Sequence, residues 1–264
     1  AIHAFVRKKF PQAAVIGGTS CAGIMNDERL WGADSIGLLL LDDDAGDYGA
    51  AQGTIGEDGA TSAEGILKAA LEDAGCPGEL PELIWIYQMP GREEDVIDGL
   101  RRVVGDRCPI IGGSSADNTV EGNWHQLGPD GVLDDGLVVG VLFPSGGVSY
   151  AFQGGYEPAG PSGIVTRVER LAGAVNGPAF GSRKIMEIDG VSASATYNRW
   201  VGNRLEGKLA AGGNILRDTT MYPLALEAGE IAGIPQFRLV HPESLTEDGG
   251  VNMFARIEEG ARIH

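Results

Sequence analysis

Basic residues are the first scarcity in this chain. It has 20 Lys and Arg against 37 Asp and Glu, a formal net charge of −17. Nucleic acid and anionic membrane surfaces reward Lys and Arg, so neither is expected as a partner. Cysteine is scarce too. Cys21, Cys76 and Cys108 form an odd, widely spaced set without a CxxC pair. That excludes a disulfide framework and a cysteine zinc site, and it fits a reducing, cytoplasmic setting. The four histidines, His3, His125, His241 and His264, include no pair at metal-ligand spacing, so no metal is expected. No apolar run approaches the roughly 20 residues that span a bilayer, and no signal peptide is visible. The phosphate-binding GxGxxG and GxxxxGK[ST] patterns and the GxSxG nucleophile elbow are missing as well.

Glycine, by contrast, is abundant: 42 residues, dispersed with no period of three. This is the composition of a fold with many tight turns and close backbone approaches. One motif occurs twice. Ala14-Val15-Ile16-Gly17-Gly18-Thr19-Ser20-Cys21 returns as Pro109-Ile110-Ile111-Gly112-Gly113-Ser114-Ser115-Ala116, followed by Asp117. Each copy is an apolar run, two glycines and two hydroxyl residues. A Trp follows each (Trp31, Trp124), and then a second apolar run, Ile36–Leu41 or Leu137–Phe143. Such a repeat implies two related units that place equivalent loops in equivalent positions. If they face each other across a pseudo-twofold axis, the two loops line one cleft.

The second copy reads as complete. Leu83–Tyr87 is a buried strand, Glu93–Val104 an amphipathic helix, Pro109–Ile111 a strand, and Leu137–Phe143 another. A further antiparallel strand is expected over Val148–Phe152. The first copy begins within its helix, residues 1–10, and by analogy lacks a preceding strand. That predicts a longer polypeptide at the start, and the strand-like final residues predict one at the end. Between the copies, Ser62–Ala74 reads as a helix ended by Gly75 and Pro77. A Pro/Gly-rich stretch, residues 156–163, then marks a domain boundary. Beyond it come strands at Ile164–Val168 and Lys184–Ile188, an Asp189-Gly190 turn and a helix capped by Ser192. Short strands follow at Tyr222–Leu226, Gln236–Val240 and Val251–Ala255. The expected fold is a duplicated α/β domain over residues 1–156, then a mostly antiparallel α+β domain over residues 157–264.

The two glycine loops follow strands, at the edge where open α/β sheets bind ligands. Their backbone N–H groups and hydroxyls suit a carboxylate, carbonyl or phosphate. The candidate ligand contacts are Thr19, Ser20, Cys21, Ser114, Ser115, Asp117, Trp124 and His125, with Arg238 from the second domain as a planar anion fork. Two other chemistries stay open. Cys21 or a loop serine with His125 as base would make a hydrolase or lyase. A single axial histidine, His125 or His241, would leave no spacing signature and would allow haem. The acidic spots Asp42–Asp44 and Asp134-Asp135 read as solvated loops.

These motifs together resemble the FIST family. Residues 14–24 (AVIGGTSCAGI) and 110–117 with 134–142 (IIGGSSAD and DDGLVVGVL) resemble the FIST N signatures. Ile164–Thr166, Glu187–Ala193, Tyr222–Leu224, Phe237-Arg238 and Glu259-Gly260 track FIST C. The stretch Leu171–Ser182 departs from the compact FIST C pattern. The resemblance implies a small-molecule sensor coupled to signalling partners, with amino-acid-like ligands proposed. Some members resemble haem-dependent nitric oxide sensors, and eukaryotic relatives carry an F-box. The expectation is therefore a ligand-binding sensory module rather than an enzyme. No cofactor is predicted, a signalling protein is the expected macromolecular partner, and a homo-oligomer stays open.

Overall fold

A computed structural model of the chain describes residues 2–119, 121–151, 156–158, 160–169, 183–231 and 234–264. The chain divides into two compact units, Ala1–Tyr150 and Ala151–His264. Mixed α/β content in the first and an antiparallel sheet in the second give the expected fold class.

The first unit runs α1 (Ile2–Lys9), β1 (Gly17–Gly18), β2 (Ile24–Met25), β3 (Leu30–Trp31), β4 (Asp47–Thr54), α2 (Gly59–Asp73), β5 (Leu83–Gln88), α3 (Glu93–Val104), β6 (Ile110–Ser114), β7 (Gln126–Gly128), β8 (Gly131–Leu133) and β9 (Gly136–Phe143). Its main sheet has the order β4-β9-β5-β6. β5 and β6 are parallel, with α3 as their crossover, and β9 lies antiparallel to both β5 and β4. Buried Leu67, Ala70, Ile84, Val96, Leu100, Leu137 and Val139 join α2, α3 and this sheet in one core. Asp58 caps α2 by accepting from the Thr61 N–H at 2.9 Å. Arg92, buried at the start of α3, donates to Asp95 at 2.7 Å and to the Gly56 and Glu57 carbonyls. A buried guanidinium with all its faces used in this way fixes α3 against the β4–α2 connection.

The structure corrects several expected elements. The second Gly-Gly pair is not a loop: Gly112, Gly113 and Ser114 continue β6, opposite Ile86, Tyr87 and Gln88. Gly112 has φ +115°, and a Cβ there would run into the Ile86 main chain, so glycine itself lets the two strands meet. Gly17 and Gly18 are likewise strand, but antiparallel to β7, while Ala14–Ile16 is not strand at all. Ile36–Leu41 forms no strand despite its composition, and neither does 148–151; Phe152 lies outside the described residues. β4 was not expected, because Asp47–Thr54 carries little apolar mass. Its small residues pack on α2, and β9 supplies the ladder along its whole length. α2 starts a turn earlier than the hydrophobic pattern suggests, at its Asp58 cap.

The second unit runs β10 (Gly163–Glu169), β11 (Lys184–Ile188), β12 (Val191–Ser192), α4 (Ala193–Trp200), a 3-10 turn at Glu206–Lys208, β13 (Gly213–Asn214), α5 (Leu216–Thr219), β14 (Leu224–Ile231), β15 (Ile234–Val240), β16 (Pro242–Leu245), β17 (Val251–Met253) and β18 (Arg262–Ile263). The sheet order is β13-β16-β17-β11-β10-β18-β14-β15, with β12 added on β11, and every described pairing is antiparallel. Asp189 and Gly190 turn the β11–β12 hairpin with φ of 52° and 75°. Ser192 caps α4 through the Ala195 N–H. Tyr197 is fully buried, donates to the Tyr222 carbonyl at 2.7 Å, and is pushed by burial up to a pKa of about 12. The divergent stretch Leu171–Ser182 lies outside the described residues.

Two outcomes follow from this packing. Gly112→Ala combines a strained φ with a backbone collision and should cost about 2–4 kcal/mol, measured as a lower urea midpoint. In the second unit, Lys184 donates to Glu169 and Asp248 at 2.7 Å each. The Lys184 and Thr246 hydrogen bonds hold Asp248 down at about 2, from an ordinary 3.8. A lowered carboxyl pKa stabilises the fold above the unfolded value and loses that effect as pH falls through the folded one. Asp248→Asn should therefore remove stability at pH 7 and flatten the acid limb of unfolding between pH 4 and 2, read by circular dichroism.

Candidate functional site

The C-terminal ends of β5 and β6 lie side by side, and the first copy's glycines close over them. Ser115 follows β6 directly, and its N–H donates to the Gln88 carbonyl at 2.8 Å. The next residue, Ala116, donates to the Thr19 carbonyl at 2.9 Å, and Thr19 N–H donates to the His125 carbonyl at 3.0 Å. His125 N–H returns to Thr19 Oγ1 at 3.0 Å. Ala22 N–H donates to Asn118 Oδ1 at 2.7 Å. The residues that follow the two Gly-Gly pairs thus meet directly. Gly18 is the contact point: a Cβ there would come within 2.6 Å of both Ser115 Oγ and the Tyr87 ring.

This junction buries polar atoms that nothing satisfies. Ser115 is 1% exposed and Gln88 2%, while Gln126, paired with Gly18 across the β1–β7 ladder, is fully buried. Among the described residues, Ser115 Oγ, Gln88 Oε1 and Gln126 Nε2 have no hydrogen-bond partner. Each such group costs about 1–3 kcal/mol when left alone. Ser115 Oγ lies on the Gly18 side of the sheet with Tyr87, whereas the Gln88 amide lies on the other face, where its Nε2 reaches Ser114 Oγ at 3.5 Å.

Around them the hydroxyls and charges are arranged. Ser114 donates to Glu93 Oε1 at 2.7 Å, and the Glu93 carboxylate also accepts from the Gly91 N–H. His125 Nδ1 and Asp134 Oδ1 lie 2.7 Å apart as an exposed pair, and no hydrogen bond to Nε2 occurs among the described residues. Asp134 is therefore more than a solvated acidic spot. Trp124 is half-buried beside His125.

Other expected contacts are spoken for. Asp117 gathers the N–H groups of Thr119, Glu121, Gly122 and Asn123 and so organises its own loop. Ser20 donates to the Gly23 carbonyl at 2.6 Å. Cys21 is exposed, and no hydrogen bond among the described residues joins it to His125. The buried thiols are no better nucleophiles: burial pushes Cys108 up to about 11. Arg238 lies in the second unit on β15 and donates to the Arg256 carbonyl. His241 is half-buried there, with an unpartnered Nδ1, and burial lowers its pKa. An axial haem ligand needs a cavity beside its nitrogen. The cavity described in that unit, about 490 Å³ and lined by Pro161, Ile188, Arg199 and Trp200 among others, includes neither His241 nor His125. No group of three metal-ligating side chains occurs among the described residues.

Tyr87, Gln88, Glu93 and Gln126 were not singled out by sequence. The signal for Gln88 was the polar end of an otherwise apolar buried strand, Leu83–Tyr87.

The FIST N domain family model matches residues 1–177, two thirds of the chain, and the protein belongs to the FIST family. FIST N is a sensory domain of signal transduction, so a general sensory role follows. No curated protein matches the chain. No described helix is long and apolar enough to cross a membrane.

Asp117 is the organiser of the second loop. Asp117→Ala should leave the β-sheet intact but speed amide exchange at Thr119, Glu121, Gly122 and Asn123 at least tenfold, equivalent to about 1.4 kcal/mol of lost protection, measured by hydrogen–deuterium exchange.

Proposed function

We propose that this protein senses a small polar metabolite of amino-acid or carboxylate type at the junction of its two Gly-Gly segments. The observation that carries the reading is Ser115 Oγ, buried beside Gly18 without a hydrogen-bond partner among the described residues, next to the buried Gln126 that pairs with Gly18 across the β1–β7 ladder. An amide bound there supplies both an acceptor and donors; a carboxylate supplies acceptors only, with the donor coming from the amino group of an amino-acid ligand. Thr19, Ser114 and His125, its ring held by Asp134, supply further polar contacts at the mouth, and Trp124 covers the apolar part of the ligand. Cys21 and Ser20 border the site without serving as nucleophiles.

Signalling follows if the ligand binds one arrangement of these loops better than another and shifts the population toward it. The output passes to a separate signalling protein. The acidic surface and free cysteines suit a cytoplasmic sensor without nucleic acid as a partner. The second unit fits a FIST C role.

The test is a thermal-shift panel of amino acids and small carboxylates, followed by Ser115→Ala. A ligand at about 100 times its Kd stabilises by about 2.7 kcal/mol. Ser115→Ala should leave the free protein as stable or more stable, because it removes an unsatisfied hydroxyl, yet weaken the ligand tenfold or more. A panel without any hit, or a hit that Ser115→Ala leaves unchanged, contradicts the reading.

A further inference from the structure

The second unit carries a cavity of its own, which shares no residue with the Gly18–Ser115 junction. Its volume is about 490 Å³, a size in the usual range of small-molecule sites. Three pieces of chain wall it: the residues just ahead of β10, the β11–β12 turn, and α4.

α4 supplies Thr196, Arg199 and Trp200. Their i, i+3, i+4 spacing puts all three on one side of the helix, while Tyr197 joins the core. Trp200 is half-buried, packs against that core and gives the cavity an aromatic wall. Ile188 and Val191 add an apolar wall from the turn, and between them the turn supplies Asp189. Asp189 N–H donates to the Ile164 carbonyl at 2.8 Å, and its Oδ1 accepts from the Ile164 N–H at 2.9 Å. Gly190 N–H donates to Thr166 Oγ1 at 2.9 Å, so the turn is pinned to β10. Among the described residues, Asp189 Oδ2 accepts no hydrogen bond.

Two observations point to an occupant. Thr196 is 3% exposed, yet its Oγ1 has no hydrogen-bond partner among the described residues. Thr219 and Thr220, at the neighbouring helix α5, show the ordinary solution: each donates to the carbonyl four residues back, at 2.8 and 2.7 Å. Thr196 keeps its hydroxyl uncommitted instead. The second observation is electrostatic. Asp189 and Arg199 line the same space with opposite charges. No ion pair or hydrogen bond among the described residues joins them, and none engages the Arg199 guanidinium. A ligand with a donor on one edge and an acceptor on another satisfies both groups at once.

We propose that this cavity binds a neutral oxopurine, as free base or nucleoside. Such a ring carries an N–H beside a carbonyl. The N–H donates to Asp189 Oδ2, and the carbonyl and ring nitrogen accept from the planar Arg199 fork and from Thr196 Oγ1. Its flat face stacks on Trp200. A simple anion would face the Asp189 carboxylate, and a simple cation the Arg199 guanidinium, so an uncharged ring with both kinds of edge fits the lining best. The net charge of −17 also disfavours the phosphate of a nucleotide.

Calorimetric titration with guanosine and inosine tests the site, and amide chemical shifts locate it. The expected result is saturable binding with shifts at Ser162, Asp189, Val191, Thr196 and Arg199. Asp189→Asn keeps an oxygen acceptor for Ile164 and tolerates the φ of 52°. Arg199→Gln changes an exposed side chain. Both variants should keep the parent's thermal midpoint and bind guanosine at least tenfold more weakly, the loss of one hydrogen bond to a charged group. Ser115→Ala should leave guanosine binding unchanged, which separates this site from the metabolite junction of the first unit. Absence of saturable binding by both nucleosides overturns the proposal, and so does undiminished binding in Asp189→Asn and Arg199→Gln. Shifts centred on Gly18 and Ser115 overturn it as well. Tighter binding of para-(aminomethyl)benzoate or of guanosine monophosphate than of guanosine overturns it in favour of a charged ligand.

Discussion

The ladder between β4 and β9 is the constraint on which the first unit rests. It joins a strand from one copy of the duplication to a strand from the other, in unbroken antiparallel register from Asp47–Phe143 to Thr54–Gly136. Because β4 leads into α2, the exchange also places α2 over the second copy's sheet, where it completes the core around Leu100 and Ile84. It carries the first copy's loop across as well, so that Gly18 meets Tyr87 and Ser115. Two Gly-Gly segments far apart in sequence meet at one junction.

The consequence for function is asymmetry. The second copy provides the rigid floor, with its sheet edge, Gln88 and Ser115. The first provides a thin cover made of Gly17, Gly18 and Thr19, joined to the floor through main-chain bonds to Ala116 and His125. A cover held by a few hydrogen bonds to loops is the sort of element whose position a ligand can bias at modest energetic cost.

Much of this was legible in the sequence, for identifiable reasons. The helix Glu93–Val104 and the strands at Leu83 and Leu137 carry strong periodic or continuous apolar patterns, and all three appear where the pattern puts them. The Gly-Gly repeats located the junction, and Thr19, Ser115 and His125 lie within it. What composition could not convey was pairing. Ile36–Leu41 has a better strand sequence than Asp47–Thr54, yet the second forms a strand and the first does not, because a strand exists only where a neighbour satisfies its main chain. Asp117 and Asp134 show the same limit at the site. Both are acidic loop residues in sequence, but one gathers backbone amides and the other orients a histidine, a distinction set by tertiary geometry.

The central claim is that the Gly18–Ser115–Gln126 junction receives a small polar ligand. Backbone amide chemical-shift mapping during titration with amino acids and carboxylates tests it most directly. The account predicts saturable shifts centred on Gly18, Thr19, Gln88, Ser115, Ala116 and Gln126, with smaller changes at His125 and Ser114. Saturable shifts confined to the second unit, or none with any ligand, would contradict it.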